Sequence, residues 1–405
     1  MTKAQKSSLE FIALMASLMA MAALAIDAIL PAMSVISNDV GSSDSGSSQL
    51  LIIMVFLGLG FGQLIFGPLS DSFGRKPLVF IGFIIFIIAS FVCIYATSFE
   101  MMIFGRVLQG IGLSAPRTIS YSMIRDSFEG NEMARIMSFV TVVFVLVPIL
   151  APAMGMFILD LYGWQSIFYF KMLFCLIVAV WFYGRQKETL SFENRIPFSA
   201  GLFTNGFFEL IKYKSSLIYT AISGIVMGSF MLYLSASQQI FQNQYGLVDE
   251  FPLIFAGLAV AFGVSTFLNG KLVMFFGMKK LIKISLISFT FSASVYLLLF
   301  FAQPNPPIEV LCFFLTLEFV SLGFLFGNLK SISLQPIGHI AGIGAALTGF
   351  ISTLFAVPIS TFLGSFIMDS VYPMFAGFFF CGFFSLFLFF KLNSSNVRFF
   401  KIKKS

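Results

Sequence analysis

Residues 67–77 read GPLSDSFGRKP and separate two long apolar segments. The glycines suit this position, because Gly67 permits close contact between helices and Gly74 permits a tight turn. Asp71 lies at a predicted membrane edge, where its carboxylate can accept hydrogen bonds from a neighbouring helix end. Arg75 and Lys76 add two positive charges directly after the turn. The pattern predicts a short, charged turn between two helices.

The same turn can form a charge cluster with a later part of the chain. Arg75 is expected to pair with an acid such as Asp126, which follows another apolar segment. Such a cluster can latch two halves of a protein in one state and release them in another. The alternative is a loop in which Arg75 and Lys76 only fix the topology.

The composition places the chain in a membrane. Of its 405 residues, 58% are hydrophobic and 10% are charged, whereas a soluble domain carries roughly 25% charged residues. The net charge of +6 does not indicate nucleic-acid binding, because the charges lie in short gaps between apolar runs. The four cysteines lie inside apolar runs without paired spacing, and His339 is the only histidine. We therefore expect no metal, no cofactor and no histidine-dependent catalysis.

Twelve stretches are long and apolar enough to cross a bilayer, which takes about 20 residues. They are predicted at roughly 10–36, 49–71, 77–98, 100–124, 135–160, 164–184, 215–238, 250–270, 281–302, 308–330, 341–366 and 372–391. The long basic gap divides them into three parts: an N-terminal six-helix bundle at 1–184, a cytoplasmic linker at 185–214, and a C-terminal six-helix bundle with a basic tail at 215–405.

The basic residues set the predicted orientation. Apart from Arg106, Arg117 and Lys171, they lie in the tails, in the even-numbered gaps or at the membrane edges of these segments. The odd-numbered gaps hold acids instead, namely Asp39, Asp44, Glu100, Asp160, Asp249, Glu250, Glu309 and Asp369. Since positive loops stay inside, both termini are expected in the cytoplasm of a multi-pass protein of the cell inner membrane.

Residues 67–77 resemble the signature loop of the major facilitator superfamily. Further stretches resemble its drug:proton antiporters and their bicyclomycin/chloramphenicol resistance branch: DAILPAM at 27–33, GRVLQGIG at 105–112, PILAPAMG at 148–155, GWQSIF at 163–168 and GHIAGIGAAL at 338–347. The resemblance covers about residues 10–390. It implies an all-α membrane protein of twelve helices, in which two six-helix bundles surround a central cavity that opens to alternate sides.

Charged side chains inside spans are costly and mark functional positions. Asp27 is predicted to be the main proton carrier, and Arg106 its partner, which either tunes the carboxylate or relays its protonation. A static ion pair that fixes helix packing is the alternative. Glu318, about 17 Å into the tenth span, is predicted to be a second protonatable or substrate-sensing acid, unless it pairs with a polar group on a neighbouring helix.

Three other positions complete the candidates in these spans. Arg117 either lines the inner cavity or pairs with an acid, and Gln109 is a second cavity candidate. Lys171 is expected to extend toward the outer interface, as long basic side chains near helix ends do.

The fifth span carries Pro148, Pro152 and Gly155, which interrupt its backbone hydrogen bonds and allow close packing. In antiporters that this stretch resembles, it seals the two halves against a leak. A simple packing kink is the alternative.

The sequence therefore predicts proton-coupled efflux of small, hydrophobic molecules or drugs by a monomer in the lipid bilayer. A metabolite exporter or a proton symporter of the same fold is the alternative function. A polytopic membrane enzyme is disfavoured, because no cluster of His, Asp or Cys stands at an interface. A receptor or a structural membrane protein would have no use for a gating loop at Asp71 and Arg75.

Overall fold

The computed structural model describes residues 3–42, 47–128, 130–197, 199, 201–301 and 305–402. Every regular element in this part of the chain is helical. The first half contains α1 (Lys3–Asp27), α2 (Met33–Asp39), α3 (Ser47–Phe73), α4 (Arg75–Ile94), α5 (Phe99–Ser127), α6 (Gly130–Tyr162) and α7 (Trp164–Arg185). The second half contains α8 (Gly201–Lys212), α9 (Lys214–Gln238), α10 (Phe251–Phe276), α11 (Met278–Leu299), α12 (Ile308–Leu334), α13 (Ala341–Gly364) and α14 (Tyr372–Ile402).

Ten helical segments of the described chain are long and apolar enough to cross a membrane. The two remaining predicted spans correspond to α5 and α6. Helix α5 is 29 residues long but carries Arg106, Arg117 and Arg125, which lower its hydropathy. The apolar portion of α6 runs over Leu146–Tyr162. The structure therefore has a helix at each of the twelve predicted stretches, while length and composition support ten of them as spans.

Contacts divide the chain into two compact units. One comprises residues 1–202 and 247–257, and the other comprises residues 203–246 and 258–405. The first unit thus includes the segment that follows α7, and the second includes α8 from Phe203 onward.

Small residues set the spacing of helices in the first unit. A side chain at Gly58 of α3 would collide with the backbone of Val107 and Gly110 of α5, and one at Gly62 would meet Ile111. This contact is the close helix approach that a small-xxx-small spacing permits. Because α3 and α5 are in backbone contact, the residues of α5 are held at a fixed depth beside the first span.

The second unit is held by polar pairs and stacked aromatic rings. Asn328 of α12 donates to Asn269 of α10 at 2.7 Å. Tyr296 of α11 stacks on Phe375 of α14 with ring centroids 3.6 Å apart. Aromatic pairs of this kind pack firmly without any polar group facing lipid.

Candidate functional site

The first predicted span, residues 10–36, is interrupted in the structure. Helix α1 ends at Asp27, a 3-10 turn covers Leu30–Ala32, and α2 begins at Met33. Pro31 lies in this turn and has no backbone N–H to continue a helical ladder. The last carbonyl groups of α1 therefore need partners from outside their own helix.

Arg106 of α5 supplies donors to this break. Its side chain is fully buried, and its Nη1 and Nη2 atoms each lie 3.3 Å from the carbonyl oxygen of Ala25 in the last turn of α1. Its Nε atom donates to the carbonyl of Leu51 in α3 at 2.8 Å. A cation is favoured at a helix C-terminus, where the helix dipole is negative. Arg106 thus acts as a C-cap for the first part of the broken span.

Gln109 extends this arrangement to a fourth helix. It accepts a hydrogen bond from Nη1 of Arg106 at 2.7 Å and donates from Nε2 to Oγ of Ser90 in α4 at 2.8 Å. Gln109 is fully buried and both ends of its amide are used. In this structure Gln109 links α5 to α4 inside the bundle, and its role in a cavity stays a prediction.

Asp27 lies at the end of α1, two residues after the carbonyl that Arg106 binds. Its side chain is buried, with 4% exposure, like the residues around it. Among the described residues Asp27 and Arg106 form no ion pair, because backbone carbonyls and Gln109 occupy the guanidinium. A static Asp27–Arg106 ion pair is thus wrong for this conformation, and the link between them runs through the α1 backbone.

Gly155 of α6 contacts the same break from another direction. A side chain there would collide with the carbonyl group of Ala28. Pro152 and Pro148 lie about one and two turns earlier inside α6. The glycine therefore lets α6 lie directly on the turn that follows Asp27, and any larger residue would push the two backbones apart.

The loop at 67–77 contains the predicted charge cluster. Arg75 is 2% exposed, and its guanidinium lies 2.6 Å from Asp71 Oδ1 and 2.9 Å from Asp126 Oδ2. It also donates to Oγ of Ser70 at 2.7 Å. Gly74 has a φ of +103°, so the tight turn needs glycine. The structure confirms the predicted pairing of Arg75 with Asp126.

The cap of α4 is Glu188, which the sequence analysis did not single out. Its carboxylate accepts the backbone N–H groups of Arg75 and Lys76, each at 3.0 Å. Asp71 was expected to accept from a helix end, but its carboxylate binds the Arg75 side chain instead. No local motif marks Glu188 as this cap, since its partners on α4 lie more than a hundred residues away.

Glu188 is held in its charged form. Partial burial opposes ionisation, but hydrogen bonds from the backbone N–H groups of Leu190, Lys76, Arg75 and Thr189 outweigh it and lower the pKa of Glu188. A carboxylate is also favoured at the positive end of a helix dipole, as here at the start of α4.

Further bonds fix the segment after α7 against this loop. Lys76 Nζ donates to the carbonyls of Tyr183 and Gln186 at 2.9 and 2.8 Å. Thr189 Oγ1 donates to Asp126 at 3.2 Å, and Ile196 N donates to the carbonyl of Asp71 at 3.0 Å. The first part of the predicted linker is therefore bound to the first unit.

Comparison with known proteins identifies the group to which the chain belongs. The model of the Major Facilitator Superfamily matches residues 15–357. The chain belongs to the Major Facilitator Superfamily. It is therefore a membrane transporter and not an enzyme.

Two curated relatives and one solved structure show the similarity in more detail. A bicyclomycin resistance protein homolog of Haemophilus influenzae is 27% identical, over 97% of this chain and 98% of that protein. A chloramphenicol resistance protein of Pseudomonas aeruginosa is 27% identical, over 66% of this chain and 62% of that protein. A crystal structure of a D-xylose-proton symporter has a TM-score of 0.70 at 16% identity, covering 93% of this chain and 96% of that one. This last likeness shows the shared superfamily fold.

Two other charged candidates of this Major Facilitator Superfamily protein lie on α12 and α5. Glu318 is fully buried on α12 against Ser292 of α11, in the second unit. Arg117 is partly buried and has no ion-pair partner among the described residues. Its pairing with an acid therefore finds no support in this conformation.

Lys171 does not reach the outer interface as expected. Its side chain is 2% exposed and its Nζ lies 3.9 Å from the ring centroid of Phe168, without a hydrogen-bond partner. A cation over an aromatic face is partly compensated when water is excluded. The expectation failed because the position on α7 faces the bundle rather than lipid.

Proposed function

We propose that this protein is a proton-coupled exporter. Inward movement of protons drives outward movement of small, hydrophobic molecules or drugs across the cell inner membrane by alternating access. The observation that carries the proposal is the position of Asp27. This buried carboxyl group ends the first half of a broken span, two residues after the carbonyl that Arg106 binds.

A break in a membrane helix is a suitable place for proton exchange. Broken helices present backbone groups and half-helix ends to coupling ions near the membrane centre. Desolvation disfavours the charged form of a carboxylate, whereas water or a nearby cation favours it. A carboxyl group whose water access changes during the transport cycle therefore binds a proton on one side and releases it on the other.

Arg106 is proposed as a positioning residue for Asp27. It holds Ala25 through two hydrogen bonds and Leu51 through a third, so the end of α1 has a fixed place against α3 and α5. The predicted partner role is thus retained, but it acts through the backbone rather than by a direct ion pair.

The cluster of Arg75, Asp71 and Asp126 is proposed as the gate of the transport cycle. Arg75 is almost fully covered while bound to two carboxylates, so breaking this contact exposes an uncompensated charge. That cost gives the cluster two discrete states, bound and released, as a latch requires.

The names of two relatives support the proposed substrate class. Bicyclomycin and chloramphenicol are the compounds named in the two resistance proteins described above. We propose that this chain exports compounds of comparable size and polarity. A membrane potential of 100 mV provides about 2.3 kcal/mol per proton, or roughly a 50-fold concentration ratio.

Purified protein in proteoliposomes tests this function. With an imposed pH gradient, wild-type protein should move chloramphenicol against its gradient and release protons in return. Asp27→Asn should bind the compound but show no proton-linked flux. Glu309→Gln removes an exposed acid at the start of α12 and serves as the matched control. Proton and compound moving in the same direction would show a symporter and refute export, and equal flux in wild type and Asp27→Asn would refute the role of Asp27.

We further propose that both termini lie in the cytoplasm and that the protein works as a monomer. Cysteine labelling of an N-terminal or C-terminal tag in intact cells tests the first point. Cross-linking in native membranes tests the second.

A further inference from the structure

The second unit carries a cluster of lysines over exposed aromatic rings where α10, α11 and α14 reach one edge. Lys280 Nζ lies 4.8 Å from the ring centroid of Phe276, the last residue of α10. Lys283 of α11 lies 5.5 Å from the ring of Phe390 on α14. Lys391 lies 5.8 Å from the ring of Phe387 on the same helix. We call these six residues the lysine–phenylalanine cluster.

Two lysines of this cluster, Lys280 and Lys283, lie in an acid-free stretch of the sequence. The sequence contains no Asp or Glu between residues 251 and 308 or after Asp369. Lys280 and Lys283 form no ion pair among the described residues. They lie three residues apart on one helix, where like charges repel each other.

The dipole of α11, the helix that carries these two lysines, adds to their positive charge. Both lie in the first two turns of α11, where the helix dipole is itself positive and cations are unfavourable. In the first unit the start of α4 is matched with the Glu188 carboxylate. The charges on α11 thus lack the compensation that the chain provides for its own α4.

The rings of the cluster face outward. Phe276, Phe387 and Phe390 are 47%, 55% and 44% exposed. Aromatic rings beneath lysine ammonium groups are typical of the zone between acyl chains and headgroups, because the ring stays in an apolar layer while the charge reaches the polar one. The cluster thus presents apolar rings and positive charges side by side, which matches the acyl chains and the headgroup of an anionic phospholipid.

We propose that the lysine–phenylalanine cluster is a binding site for an anionic phospholipid, with the phosphate between Lys280 and Lys283 and the acyl chains along α14. Basic recesses between membrane helices bind anionic headgroups in this manner. The inference uses the proposed function only for its orientation, which assigns the site to the inner leaflet.

Lipid-dependent unfolding of the full-length protein in neutral detergent tests this site. Phosphatidylglycerol should raise the midpoint of thermal unfolding at a far lower concentration than phosphatidylcholine does. In Lys280→Gln/Lys283→Gln, the half-effective concentration of phosphatidylglycerol should increase roughly 25-fold, since each lysine near an anionic surface is worth about fivefold. Lys212→Gln/Lys214→Gln is the matched control and should behave as wild type, because these exposed lysines lie elsewhere and Lys212 is already paired with Glu209.

Three results would overturn the site. The first is an equal response to the two lipids, and the second is an equal response of the two double variants. The third is that inorganic phosphate raises the midpoint of thermal unfolding as much as phosphatidylglycerol does, which would show that the site binds a free anion.

If the lysine variant does not unfold cooperatively, Phe390→Trp provides a second measurement. The fluorescence of the added tryptophan should be quenched more strongly by brominated phosphatidylglycerol than by brominated phosphatidylcholine, and equal quenching would refute the site. Transport failure of Asp27→Asn has no bearing on either readout.

Discussion

Replacing Arg106 with lysine keeps the positive charge but removes the planar arrangement of hydrogen-bond donors. The guanidinium reaches the carbonyls of Ala25 and Leu51 and the side chain of Gln109 at once, because its donors spread in a planar fork. A lysine ammonium is a single point on a flexible stem, so it can serve one of these acceptors well and leaves two of them poorly bonded.

The expected loss of folding free energy follows from the two hydrogen bonds that a lysine cannot make. Bonds between membrane helices are worth about 0.6 kcal/mol on average and at most about 1.7 kcal/mol. Two of them amount to roughly 1–3 kcal/mol. For a unit of roughly 200 residues this lowers the midpoint of thermal unfolding by about 3–10 °C.

The buried cysteines provide the assay. Cys93, Cys175 and Cys381 are buried in the folded protein and become reactive toward a fluorescent maleimide when it unfolds. Arg106→Lys should unfold several degrees below wild type, and Arg125→Lys, an exposed position on the same helix, should not shift. If Arg106→Lys unfolded within 1 °C of Arg125→Lys, the account of Arg106 as the cap of the broken span would be wrong.

Three further changes test the contacts around the site. Gly155→Val should lower the unfolding midpoint and transport, because overpacking costs about 1–3 kcal/mol; Gly184→Val, with open space around it, should have little effect. Glu188→Gln should destabilise the protein at pH 7, and the difference from wild type should shrink as the pH falls below the ordinary glutamate value of about 4.3. The sign follows because a lowered pKa stabilises the folded state above the unfolded-state value and loses that contribution on protonation; a constant difference down to pH 3 would contradict it. Lys171→Met should raise the midpoint, because methionine fills a similar volume without burying an ammonium that lacks a hydrogen bond; a lower midpoint would show that the amine has a partner.

The sequence was sufficient for the helices and for the loop at residues 67–77. Apolar length marks spans in a bilayer because every backbone group must be bonded within its own helix. The Arg75–Asp126 pair was also predictable, since a cation at one membrane edge has few acids within reach. The helices and the charged loop depend on apolar length and charge placement, which are local properties of the sequence.

Long-range contacts were not predictable in this way. The bond of Arg106 to the Ala25 carbonyl depends on where α1 breaks, and Pro31 alone does not specify that point. Glu188 looks like an ordinary linker acid until the chain folds back onto α4. The burial of Lys171 depends on which face of α7 meets the bundle, and hydropathy cannot specify this for a helix that is apolar on all sides.

The bonds made by Glu188, Thr189 and Ile196 determine where foreign sequence can be added. From its sequence, the basic linker at residues 185–214 looks suitable for a tag or a protease site at any position. Insertion within 186–196 would pull apart the cap of α4, whereas α8 belongs to the other unit from residue 203 onward. The position after Pro197 lies beyond these bonds, and α8 begins at Gly201. A split version of the transporter, expressed as two fragments, should therefore be divided there.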